Sequence, residues 1–143
     1  MSTAPAIGLA TALTHESLQP AELARWLEDN GFESLFLGEH THLPAAVHRY
    51  GDGWIPLDGA DHAEFLGATL AAIRSEAERA GRSMDEFDLT VGLGLMGPVT
   101  EKRFDEVVKL GFRRVLFLPR AGSPPEEAWP VLEGFAKLKS QLV

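Results

Sequence analysis

The sequence predicts an α/β fold built on a parallel sheet, and three observations carry that expectation. Short apolar runs alternate with longer amphipathic stretches, about five of the first and four of the second. The short runs are nearly continuous in apolar residues, as in strands covered by helices rather than facing water. A helix-to-strand turn also recurs. Asn30-Gly-Phe-Glu-Ser-Leu-Phe-Leu37 and Leu110-Gly-Phe-Arg-Arg-Val-Leu-Phe117 align at a spacing of 80 residues. That period is too long for a solenoid and fits two units of one α/β architecture.

The elements run in order along the chain. Ile7 to Thr14 is uncharged and reads as a buried strand. Pro20 suits a first helical turn, where its missing N–H is no loss, and Leu23, Trp26 and Leu27 form one apolar stripe over Ala21–Asn30. Gly31 stands where a left-handed residue closes a helix, and Ser34–Gly38 is the second strand. Residues 40–53 read as a loop, and Trp54–Leu57 as a very short strand weakened by Pro56. Asp61–Ala80 is the strongest helix, with Phe65, Leu66, Leu70, Ile73 and Ala77 as its stripe and Gly81 at its end. Phe87–Leu95 is a strand that runs into glycines. Thr100 can cap a helix carrying Phe104, Val107, Val108 and Leu110, stopped by Gly111. Arg114–Leu118 is the last strand, and Ser123-Pro-Pro-Glu126 offers a capping-box start to a final helix reaching about Gln141.

The chain has 143 residues, read as a single domain over 1–143. With 13 Lys plus Arg against 21 Asp plus Glu, its net charge of −8 argues against nucleic acid or an anionic membrane as partner. The absence of cysteine excludes disulfides, thiolate nucleophiles and Cys-ligated metals, and fits a cytoplasmic location. No signal peptide is expected from Met1-Ser-Thr-Ala-Pro-Ala-Ile-Gly8, which lacks a basic and an apolar region, and no stretch is apolar enough for a membrane span. A complete (β/α)₈ barrel takes about 250 residues, so this chain cannot form one alone.

In a parallel sheet with helical crossovers, sites lie at the carboxyl ends of the strands. Glu39-His-Thr-His42 follows the second strand there. A carboxylate beside two imidazoles suits proton transfer, with Glu39 setting the tautomer of His40. The same residues suit a metal only with a further ligand from elsewhere, and equally suit the plain task of satisfying loop backbone groups. Gly92-Leu-Gly-Leu-Met-Gly97 reads as G-x-G-x-x-G between strand and helix, a pattern that lets backbone amides approach a pyrophosphate. Pro98 and Thr100 start the helix after the third glycine rather than within the motif, and no acid follows the next strand to hold a ribose. Arg120 instead offers a partner for the 2′-phosphate of NADP. Trp54 is either core or a stacking surface for a planar ligand. His15, His48, Arg49 and His62 read as surface or loop residues, and no G-x-S-x-G nucleophile elbow occurs.

Taken together, Pro20 to Pro44 with its Glu-His-Thr-His-Leu-Pro end, Arg49-Tyr-Gly-Asp-Gly-Trp-Ile-Pro56 and Leu110-Gly-Phe-Arg-Arg-Val-Leu-Phe-Leu-Pro119 resemble the luciferase-like monooxygenase family, in its branch dependent on the deazaflavin coenzyme F420. The resemblance covers nearly the whole chain but with the middle removed, since only a few residues separate Pro44 from Arg49. It implies a partial TIM barrel of about five parallel strands, equivalent to barrel strands 1, 2, 6, 7 and 8, with flanking helices. Because a barrel closes, those strands are contiguous neighbours. The resemblance further implies hydride transfer with F420 or FMN, with His40 and Glu39 as catalytic residues and Trp54 lining the pocket. His42 is taken as a further cofactor contact, and Gly92, Gly94, Gly97 and Arg120 are the local elements that could meet the cofactor's anionic part. Open sheet edges in such a remnant lead us to expect a homodimer. A non-catalytic remnant that mainly self-assembles, and an NADP-binding module through Gly92–Gly97, are the competing expectations.

Overall fold

A computed structural model of the chain describes residues 4–14, 16–37, 53–56, 62–95 and 97–142. Strands β1 (Ala6–Thr11), β2 (Leu35–Leu37), β3 (Gly53–Trp54), β4 (Asp88–Leu93) and β5 (Arg114–Phe117) form one sheet in the order β2-β1-β5-β4-β3. Every pairing is parallel. The sheet curls into a half-barrel flanked by four helices, α1 (Pro20–Asp29), α2 (His62–Arg79), α3 (Glu101–Leu110) and α4 (Pro125–Leu142). This is the expected α/β partial barrel. Its order is the one that barrel strands 2-1-8-7-6 would show.

Alternation along the strands separates two faces. Ile7, Leu9, Leu89, Val91, Leu93, Val115 and Phe117 point to the helices and are buried with Leu23, Leu27, Leu66, Phe104, Val107 and Leu132. The intervening residues share the other, concave face. Register sets Ala6, Thr90 and Arg114 side by side, then Gly8, Gly92 and Leu116, then Ala10 and Phe36.

The recurring Gly-Phe turn is one device used twice. Gly31 (φ 66°) and Gly111 (φ 100°) adopt the left-handed conformation that side chains disfavour. The next amide then reaches back across the helix end, Phe32 to the Leu27 carbonyl at 2.9 Å and Phe112 to the Val107 carbonyl at 3.3 Å. Each turn thereby closes its helix and drops a buried phenylalanine under the following strand.

Three local expectations are corrected. Phe65 is 58% exposed, because the inward stripe of α2 runs through Leu66, Leu70 and Ala77 and leaves Phe65 on its flank. The third strand ends at Trp54, although the Pro56 carbonyl still accepts from the Gly92 amide at 2.9 Å. Ser123 does not close a capping box, since its hydroxyl donates to the Arg120 carbonyl. A capping box forms instead at Ser83, before a 3₁₀ turn over Met84–Glu86: its hydroxyl accepts from the Asp85 amide and its own amide donates to Glu86. Thr100 does cap α3, accepting from the Arg103 amide at 3.3 Å. Among the described residues, no helix is long and apolar enough to cross a membrane.

Candidate functional site

The carboxyl ends of the strands form one edge of the half-barrel, and large apolar side chains are uncovered along it. Phe36 (38%) and Leu37 (49%) end β2, Ile55 (53%) follows β3 and Leu95 (52%) follows β4. Water-exposed apolar surface of this size is what a ligand mouth or an interface carries.

Of the described residues singled out from sequence, Gly94, Gly97 and Arg120 line one groove, while Gly92 and Trp54 lie elsewhere. Gly92 lies within β4 on the concave face, next to Leu116 of β5. Gly94 lies beyond the strand with φ 113°, and a Cβ there would meet the Leu118 carbonyl oxygen at 2.9 Å. Its glycine is therefore demanded by the backbone. Gly97 is tight only against the Arg103 guanidinium tip, 3.0 Å from where its Cβ would stand. Trp54 turns to the helix side, with its ring 5.8 Å from that of Phe112, so it packs with the core rather than along the mouth. Glu39, His40 and His42 lie outside the described residues. Among the described residues, no group of three His, Asp or Glu is arranged to hold a metal.

Gly94, Gly97 and Arg120 border a groove of about 460 Å³ between the ends of β4 and β5 and α4. Its walls are Val99, Leu118, Val131, Phe135 and Leu138. Gly134 also faces it, from the interior of α4, where glycine costs about 0.5–1 kcal/mol relative to alanine. A Cβ at Gly134 would meet nothing within 4 Å, so no neighbour requires its absence. A second cavity, of about 20 Å³ between the end of β1 and the loop after β5, holds a water at most.

One polar cluster escaped the sequence reading. On the concave face at the amino ends of the strands, the Arg114 guanidinium donates to Glu33 Oε2 at 3.2 Å, Asp88 Oδ2 at 2.7 Å and Thr90 Oγ1 at 3.3 Å. It ties the segment before β2 to β4 through β5. Period-two alternation in Asp88-Leu-Thr-Val-Gly-Leu93 was the signal that could have exposed it. The Ser34 hydroxyl and Arg114 hold the Glu33 carboxyl below its ordinary value. Burial pushes Asp88 up, but the bonds from Arg114 and Thr90 outweigh it and leave that carboxyl lowered as well. The same two carboxylates raise Arg114, which stays charged throughout the relevant range.

Depressed carboxyls contribute stability above their unfolded-state values and lose it as pH falls through the folded ones. The cluster should therefore hold fully above about pH 4.5 and fail progressively below it. Both carboxylates are substantially exposed (44% and 57%), so screening keeps the contribution to about 1 kcal/mol. Urea unfolding of Arg114→Met is expected to be weaker near neutrality and to depend less on pH between 3 and 5 (roughly the carboxylate range). Equal pH slopes in both proteins would remove the cluster from the acid response.

Comparison of the chain with protein-family models, with curated proteins and with solved structures returns no match.

Proposed function

We propose that the chain is a shortened luciferase-like oxidoreductase that transfers hydride with F420 or FMN at the carboxyl edge of its half-barrel. The observation that carries this reading is the uncovered apolar edge formed by Phe36, Leu37, Ile55 and Leu95. It fits the flat, largely apolar face of a flavin or deazaflavin ring, and the strand order agrees with the resemblance. When bound, such a ring supplies a two-electron acceptor or donor for the hydride. Phe36 would flank it from β2, with Ile55 and Leu95 beyond the ends of β3 and β4, and these side chains would keep water from the reacting carbon. Glu39, His40 and His42 begin two residues after Leu37 in the sequence. His40 would donate or take the proton that accompanies the hydride, with Glu39 setting its tautomer.

The test is a titration of the purified protein with F420, FMN and NADPH, each oxidised and reduced, with His40→Ala as control. Binding of F420 or FMN in the micromolar range, weakened at least tenfold in His40→Ala, is expected (a change of about 1.4 kcal/mol). No binding of any cofactor would end the enzyme reading. Binding of NADPH alone, lost in Gly97→Val and unaffected by His40→Ala, would favour the dinucleotide module. Gly97 is the better probe there, because a side chain at Gly94 strikes backbone.

A second reading rests on the sheet edges. The outer sides of β2 and β3 have no strand partner among the described residues, and the exposed Leu37 and Ile55 lie beside them. Such edges pair readily with another chain. A homodimer that covers them is expected in sedimentation of the same sample, alongside cofactor binding if a partner helps to complete the mouth. A dimer without cofactor binding would identify the chain as a self-assembling remnant.

A further inference from the structure

The groove opens beside the carboxyl edge, between α4, Gly94 and Gly97–Val99 after β4, and Leu118–Arg120 after β5. Three observations there concern a ligand. Its volume, about 460 Å³, lies within the range of small-molecule sites, and its walls are apolar, with Val131 left 43% exposed. Its α4 side runs from Val131 through Gly134 and Phe135 to Leu138, about 10 Å along the helix axis, so it is elongated. Gly134 leaves that side open at a cost in helix stability that no packing contact explains.

At the carboxyl-edge end stands Arg120. Its carbonyl accepts from Ser123, and its guanidinium has no hydrogen bond or ion pair among the described residues. In a chain of net charge −8, an exposed arginine that lines an apolar slot and has no ion pair among the described residues is complementary to an anion. The geometry points to a binding site for an elongated apolar molecule with a terminal carboxylate. The carboxylate meets Arg120 beside Gly94 and Gly97, and the tail lies along α4 past Gly134 towards Leu138. This site takes Gly94, Gly97 and Arg120, which the sequence offered as cofactor contacts, but none of Phe36, Leu37, Ile55 and Leu95.

Isothermal titration calorimetry with decanoate tests the site, with decanol as the uncharged counterpart. Saturable one-to-one binding of decanoate is expected, at least tenfold tighter than decanol, and Arg120→Gln should erase that preference while leaving decanol unchanged. Gly134→Leu should abolish binding while its thermal midpoint stays at or above that of the parent, since leucine is the better helix former. That combination separates a filled groove from a misfolded protein. Equal binding of acid and alcohol, undiminished decanoate binding by Gly134→Leu, or no decanoate binding would each overturn the proposal. So would displacement of decanoate by NADPH with retention of NADPH by Gly134→Leu, which would assign Arg120 to a nucleotide phosphate. Self-association that Gly134→Leu disrupts would mean that a second copy covers the groove, and would overturn it too. Because the decanoate titration involves neither His40 nor a flavin, its failure would leave the oxidoreductase reading untouched.

Discussion

Phe117→Ala is expected to lower the free energy of unfolding by about 3–5 kcal/mol, the range for deleting a buried aromatic ring. Phe117 is fully enclosed at the carboxyl end of β5, the central strand, where it pairs with Leu9 on one side and Leu93 on the other. Its ring lies 5.1 Å from Phe135 of α4 and 6.3 Å edge-on from Phe32. Three segments distant in sequence therefore converge on it: the turn that closes α1, the last helix and the sheet. Removing the ring leaves a void that none can fill alone, because each is tied to its own backbone ladder or turn. Urea unfolding gives the measurement. The midpoint should fall sharply with the slope unchanged, and Phe117→Leu should recover roughly half the loss. A change below about 1 kcal/mol would mean that the site collapses freely and that β5 is not the centre of the core.

Much of the architecture was legible because it rests on local signals. The Gly-Phe turns announce two helix ends and two strand starts, and both are realised by left-handed glycines. The stripes Leu23–Leu27 and Phe104–Val107 face the core as their spacing requires. Legibility failed where the decisive contact is non-local. Arg114 meets Glu33 and Asp88 across 81 and 26 positions, and only the strand register brings them together. Reading β4 as a continuous apolar run also concealed that Asp88, Thr90 and Gly92 share a face. The glycine motif suffered similarly. Gly92 belongs to the paired strand and Gly94 to a left-handed turn beyond it, so a string that looks like one cradle is split between strand and loop. Trp54, whose two readings the sequence left open, lies with its ring 5.8 Å from that of Phe112.

Gly8→Val is expected to disrupt the β1–β2 junction, and with it the approach to the proposed cofactor mouth. A Cβ at Gly8 would overlap the Ser34 hydroxyl and stand 2.8 Å from a Leu116 methyl and 2.9 Å from the Ser34 carbonyl oxygen. Two backbone bonds flank that point, Leu9 to the Ser34 carbonyl at 2.9 Å and Glu33 to the Ile7 carbonyl at 2.8 Å. A valine wedge must open both or push β5 aside. Overpacking costs about 1–3 kcal/mol and each lost bond about 1 kcal/mol, so a total of about 3–5 kcal/mol is expected in urea unfolding. Gly8→Ala in a Ser34→Ala background should recover only part of the alanine penalty, since the hydroxyl is removed while the carbonyl stays in place. Full recovery would mean that the side chain alone sets the fit. No loss in Gly8→Val would mean that β2 is not held against β1 in this register. The junction also connects stability to function. Phe36 and Leu37 of the proposed mouth follow Ser34 on β2, so a shift of β2 moves that wall. FMN or F420 binding should therefore weaken in Gly8→Val even at temperatures where the rest of the sheet remains folded, whereas decanoate binding in the groove beside α4 should survive there.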